Sequence, residues 1–154
     1  SKETAVEKIK WLEQEGVEFV EQPMPAGDLG GTAWVRERVT LPLIADENSL
    51  RLHDVPKLQG VFDGINIKLM KCTGLREAMK MVSTARACGM KVMTGCMIES
   101  SVGISAAAQF SPLVDYADLD GNVLITNDPF DGVRSLDGTI SLNDQPGIGV
   151  TKLV

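Results

Sequence analysis

The sequence holds a single histidine, His53, and it lies in a loop with no serine or cysteine partner pattern around it. Ser-His-Asp and Cys-His nucleophilic catalysis therefore have no support. There are only three cysteines, Cys72, Cys88 and Cys96, an odd number without metal-ligand spacing. That excludes a disulfide framework and a thiolate zinc site, and it suits a reduced, cytoplasmic chain in which each cysteine is a small buried residue. No Lys/Arg cluster is present and the net charge is −6, which argues against nucleic acid as a partner. No apolar run approaches the roughly 18 residues of a membrane span, and the polar start Ser1-Lys2-Glu3-Thr4 shows no signal peptide. A Gly-rich phosphate loop is also missing, since Gly30-Gly31 alone is too short to be one.

What is present is a globular composition. Apolar residues make up 44% of 154, enough for a sizeable core in one ordinary domain. Apolar residues three apart (Val6, Ile9, Leu12) predict a helix over 2–15, stopped by Gly16. A strand is expected at 17–20, ending in Glu21-Gln22-Pro23. A helix follows over 28–38, then a strand over 42–45 ending in Asp46-Glu47-Asn48. Residues 54–58 read as a helical turn, 64–69 as a strand and 73–88 as one helix. A strand at 91–95, a small-residue helix at 101–110 and a strand at 116–119 complete the pattern.

Strand and helix alternate five times, which implies α/β architecture with a parallel sheet. Polar groups stand at successive strand ends (Glu21, Asp46, Lys68, Gly95, Asp118), which suits a (β/α) TIM-type barrel better than a doubly wound sheet. A complete barrel needs about 250 residues. The expectation is a partial barrel, about the last five β/α units, over 1–121. The remainder, 122–154, reads as an irregular tail of short strand-like pieces (123–125, 139–142, 146–150) with a hairpin turn at Asp137-Gly138. Two open sheet edges predict either covering by the remainder of the barrel or self-association.

Period-two alternation puts Asn66 and Lys68 on one strand face and Ile65, Ile67 and Leu69 on the other. Isoleucines suit the helix side, so Asn66 and Lys68 point inward. A lysine there needs charge beside it, and Glu21 and Asp46 would supply it from neighbouring strands. The two carboxylates are read either as ligands of a hard cation such as Mg²⁺, or as exposed strand ends and salt-bridge partners of Lys68. Lys68 itself is read as buried or as snorkelling to the surface. Asp118 and Asp120 share a face and are either site residues or a polar turn ahead of Gly121. Glu99 reads as a charge at a helix N-terminus. A cation beside a lysine suggests abstraction of a proton α to a carboxylate, with the lysine's pKa lowered by nearby positive charge.

Five motifs carry a resemblance: Val20-Glu21-Gln22-Pro23, Ile44-Ala45-Asp46-Glu47, Asn66-Ile67-Lys68-Leu69 with Thr73-Gly74, Gly95-Cys96-Met97-Ile98-Glu99-Ser100, and Asp118-Leu119-Asp120-Gly121. With these the chain resembles the enolase superfamily, in its muconate-lactonizing-enzyme-like branch, and most nearly the dipeptide epimerase (L-Ala-D/L-Glu epimerase) group. The resemblance implies Glu21 and Asp46 as two of the Mg²⁺ ligands and Lys68 as one of two opposed lysine bases. It implies Asp118 and Asp120 as holders of a dipeptide's ammonium. Cys96, Met97 and Ile98 would line the substrate pocket, with Asn66, Glu47 and Glu99 in support. It further implies a tail that returns to a capping domain, and a parent that is a homo-oligomer acting on a small-molecule dipeptide. The family's first metal-ligand Asp and its Lys-x-Lys motif are not in the sequence, so this chain alone is expected to be inactive. A muconate cycloisomerase, an o-succinylbenzoate synthase and a noncatalytic half-barrel scaffold are the competing readings.

Overall fold

The structure, a computed structural model, describes residues 1–153. Five short strands, β1 (Val20–Glu21), β2 (Leu43–Ala45), β3 (Gly64–Lys68), β4 (Lys91–Gly95) and β5 (Tyr116–Ala117), form one sheet in chain order. All four pairings are parallel. Helix α1 (Lys2–Gln14) precedes β1, and the connections carry α2 (Leu29–Arg36), α3 (Leu69–Cys72), α4 (Leu75–Ala87) and α5 (Ser101–Ala108). This is the expected partial (β/α) barrel.

Local chemistry sets the helix ends. Ser1 accepts from the Thr4 N–H and Asp28 from the Gly31 N–H at 2.7 Å, each satisfying an otherwise unpaired donor. Past α1 and α4, Gly16 and Gly89 adopt left-handed φ values of 78° and 69°, which glycine takes without strain.

The two faces of the sheet separate cleanly. Leu43, Ala45, Ile65, Ile67 and Val92 join Ala78, Met81 and Ala85 of α4 in the core between sheet and helices. Ile44 and Met93 are equally buried but lie outside that cluster, on the concave side. Asn66 pairs in register with Met93, and Met93 with Tyr116, so these three side chains share that face. The phase of β3 is therefore as the sequence implied.

Several boundaries differ from expectation. The helix expected over 73–88 is α4 and starts two residues late: the short α3 ends at Cys72, Thr73 takes φ 69°, and Gly74 is the N-cap of α4. The left-handed residue cannot be helical, so the apolar stripe belongs to α4 alone. The first strand begins at Val20, three residues later than expected. In the tail, 123–125 is not strand-like but lies in and just after a 3-10 turn over Gly121–Leu124. A Cβ on Gly121 would come 2.1 Å from the Met97 carbonyl oxygen, so the chain turns against that loop at once.

Further strands pair β6 (Phe130–Asp131) with β9 (Thr151–Lys152) and β7 (Arg134–Leu136) with β8 (Thr139–Ser141), both antiparallel. Asp137-Gly138 makes the expected hairpin turn, with φ 48° and 73°. Residues 146–150 are turns rather than strand, and β9 follows them. The tail is tied to α5 by the Asp128 carboxylate, which accepts from the Ser101 N–H at 2.6 Å, and by Ser105 Oγ, which accepts from the Val133 N–H at 2.8 Å.

Candidate functional site

The parallel register brings the strand ends together at one rim of the arc. Glu21 ends β1, Asp46 follows β2, and Lys68 ends β3 opposite Gly95 of β4. Lys68 Nζ donates to Asp46 Oδ2 at 3.0 Å. Glu21 does not pair with Lys68: its Oε1 accepts instead from Asn66 Nδ2 at 2.7 Å. Lys68 is mostly buried, not snorkelling: its side chain is 16% exposed and that of Asp46 9%.

Gly95 makes this packing possible. A Cβ there would stand 2.7 Å from both Asn66 amide atoms and 3.0 Å from Lys68 Cε. The glycine leaves room for the lysine stem and the amide on the concave face.

Burial and charge act oppositely on the ionisable groups. Burial pushes the Glu21 carboxyl above its ordinary value, the Asn66 amide opposes this, and the Asp46 charge adds to it. Burial would also raise Asp46, but the ammonium groups of Lys71 and Lys68 outweigh it and hold the carboxyl below the usual range. For Lys68, burial favours the neutral form, but Asp46, Glu21 and Glu47 together hold it above the usual lysine value. The nearby charges that dominate here are carboxylates.

Lys71 was not anticipated. It lies one helical turn beyond Lys68 in α3, its side chain is 13% exposed, and its Nζ contacts Asp46 Oδ1. The Lys68-x-x-Lys71 spacing carried the signal, since i and i+3 share a helix face, but strand alternation does not reach past Lys68. Gln22 was also missed, although its amide oxygen accepts from the Asp46 N–H at 3.0 Å.

The other expected residues form a second cluster beside the first. Asp118 follows Ala117, the register partner of Thr94, and its N–H donates to the Thr94 carbonyl at 2.9 Å. It thus stands across Gly95 from Lys68. Asp118 and Asp120 border a cavity of about 360 Å³ with Val123, Leu136 and Ile140. Cys96 Sγ points toward Asp120 Oδ1 at 3.9 Å, and burial pushes its thiol pKa up. Met97 and Ile98 are 42% and 70% exposed beside them. Glu99 accepts from the Met97 N–H at 3.0 Å and lies over Gly103 of α5, so it braces this loop. Glu47 is exposed and contributes charge only.

Oxygen donors at the first cluster suit a hard divalent cation in kind. Glu21 and Asp46 offer carboxylates, and the buried Asn66 Oδ1 beside them has no hydrogen-bond partner. Among the described residues, no three His, Cys, Asp or Glu side chains gather into a metal-holding group. The donors fit such a cation but supply only part of a coordination shell.

Residues 1–152 match the family model described as Enolase C-terminal domain-like. An L-Ala-D/L-Glu epimerase of Bacteroides thetaiotaomicron is 59% identical over 149 residues, 97% of this chain and 39% of that protein. The L-Ala-D/L-Glu epimerase from Bacillus subtilis, solved as a substrate-liganded complex, superposes with a TM-score of 0.91 at 34% identity, covering 99% of this chain and 45% of that one. A dipeptide epimerase from Cytophaga hutchinsonii, complexed with Mg and the dipeptide D-Ala-L-Val, gives 0.90 at 28% identity over 99% of this chain and 43% of that one. The chain thus spans about two fifths of the length of the relatives it matches, from 39% to 45%. Because the family match runs through all five strand ends that build the site, the chain belongs to the enolase C-terminal domain-like family.

Proposed function

We propose that this chain is the carboxyl-terminal portion of the barrel of a Mg²⁺-dependent dipeptide epimerase. The observation that carries the reading is the mostly buried Lys68–Asp46 pair with Glu21 on the adjacent strand end. The likeness to dipeptide epimerases supports the choice of reaction.

Glu21 and Asp46 would hold the cation, whose positive charge would stabilise the enediolate that develops on the substrate carboxylate. Lys68 Nζ is the proton carrier. As the neutral amine it takes the substrate α-proton, and as the ammonium it returns one to the same face. Inversion needs a second base on the opposite face, and that base would come from outside residues 1–154. The exposed carboxylates Asp118 and Asp120 would hold the dipeptide ammonium, and Cys96, Met97 and Ile98 would shape the space beside it. That pair favours a dipeptide over muconate or succinylbenzoate precursors, which carry no ammonium. Residues 1–121 would be the barrel portion and 122–154 the segment reaching the capping domain. The parent is read as a cytoplasmic homo-oligomer, a setting that accords with three free cysteines.

The test follows α-proton exchange of L-Ala-L-Glu in D₂O with Mg²⁺ by NMR. Exchange is expected with the full-length protein that carries this chain, lost in Lys68→Ala, and absent with residues 1–154 alone. Exchange by the isolated chain, or none by the full-length protein on any dipeptide, overturns the reading.

A further inference from the structure

The β1–β2 ladder stops at the pair Glu21–Ile44, with a last backbone bond from the Gln22 N–H to the Ile44 carbonyl at 2.9 Å. The two carboxylates of the site therefore lie where main-chain pairing has run out. One side chain takes over there. Gln22 Oε1 accepts from the Asp46 N–H at 3.0 Å and from the Asn48 N–H at 3.3 Å. Gln22 Nε2 donates to Asn48 Oδ1 at 2.7 Å and to the Met24 carbonyl at 2.8 Å. Every hydrogen-bonding position of the amide is used. Asn48 is anchored in turn, its Nδ2 donating to the Ala26 carbonyl at 2.8 Å.

The residue that does this is adjacent to Glu21 in the chain and sits at φ 40°, a conformation that non-glycine residues avoid. Such a backbone persists where surrounding contacts over-determine it. Those contacts are the four amide bonds, and three of them reach Asp46 or Asn48, on the loop that carries the second carboxylate.

We infer that Gln22 is a positioning residue: its amide splices the β1 and β2 strand ends and fixes the spacing of the Glu21 and Asp46 carboxylates for a divalent cation. The inference rests on the functional reading above, because it needs those two carboxylates to act as a pair. Partners one shell beyond a metal's ligands typically carry about 10- to 100-fold in metal affinity.

The experiment is calorimetric titration of Mg²⁺ into the substrate-free full-length protein and its variants. Gln22→Met keeps the side-chain length and removes all four bonds. It is expected to weaken Mg²⁺ binding about ten-fold or more, while the dipeptide KM at saturating Mg²⁺ stays within about two-fold. Weakened Mg²⁺ binding beside an unchanged KM is a split that a general loss of structure does not produce. A Gln22→Met protein that binds Mg²⁺ as tightly as the unsubstituted one overturns the inference. If Gln22→Met does not fold, Asn48→Ala decides. It removes the brace but leaves the bond to the Asp46 N–H, so weakened Mg²⁺ binding supports the inference and unchanged binding overturns it. The unsubstituted protein is titrated first: no Mg²⁺ binding there refutes the functional reading itself, a result distinct from normal binding that ignores Gln22.

Discussion

Phe19 and Tyr116 stack with ring centroids 4.5 Å apart and planes inclined by 39°, although β1 and β5 are the two opposite edges of the sheet. Flat five-strand sheets hold their edges about 19 Å apart, at roughly 4.8 Å per step. The contact therefore measures the curl: the arc bends until the residue leading into its first strand meets a side chain of its last strand across the concave face. Tyr116 also receives the Lys91 ammonium on its hydroxyl at 2.7 Å, which seats the ring.

This pair is expected to couple by about 1 kcal/mol beyond the area each ring buries. A double-mutant cycle of Phe19→Leu and Tyr116→Leu, read by urea unfolding, measures it. Additive effects would mean that the curl is held by the helices alone.

Asp46 is held between two lysine ammonium groups and is nearly buried. Asp46→Asn leaves both cations without their counter-ion and is expected to destabilise the fold by about 3 kcal/mol. The pH dependence follows in sign. The folded Asp46 carboxyl lies below its unfolded value of about 3.9, so its stabilisation is full above that pH and is lost as pH falls through the folded value. Lys68 lies above its unfolded value of about 10.4, so its contribution is full below that pH and is lost as pH rises through the folded value. Urea unfolding from pH 2 to 7 checks the acid limb, which should flatten in Asp46→Asn.

Gly95→Ala places a methyl group against the Asn66 amide and the Lys68 stem. A stability loss of about 1–3 kcal/mol is expected from the overpacking. In the full-length protein the displaced lysine should lower α-proton exchange on the order of 100-fold. An exchange rate within two-fold of the original would show that Lys68 is not held by this contact.

Asp118→Asn and Asp120→Asn are each expected to raise the dipeptide KM about ten-fold, the scale of one charge-assisted hydrogen bond. An N-acetylated dipeptide has no ammonium, so its binding should be indifferent to either change. Equal effects on both substrates would remove the two aspartates from ammonium recognition.

The site and the fold were legible in the sequence to different depths. Period-two alternation placed Asn66 and Lys68 on the concave face, because a strand has only two faces and the isoleucines claimed one. Five strand-helix repeats gave the parallel sheet, and short-range chemistry placed the helix end at Gly16 and the hairpin at Asp137-Gly138. The short α3 and the left-handed φ of Thr73 that stops it were not legible: the residue is β-branched, and nothing local marks it as left-handed. Its hydroxyl accepts from the Arg51 guanidinium at 3.0 Å, a bond that spans 22 residues of sequence. The tertiary structure alone decided who pairs with whom. Sequence named Glu21, Asp46 and Lys68 as neighbours, but only the packing gave Asp46 to both lysines, Glu21 to Asn66, and the strand-end splice to Gln22. The physical reason is that backbone alternation fixes the direction of a side chain. Its partner is fixed by the distances between strand ends, which depend on how far the whole sheet curls.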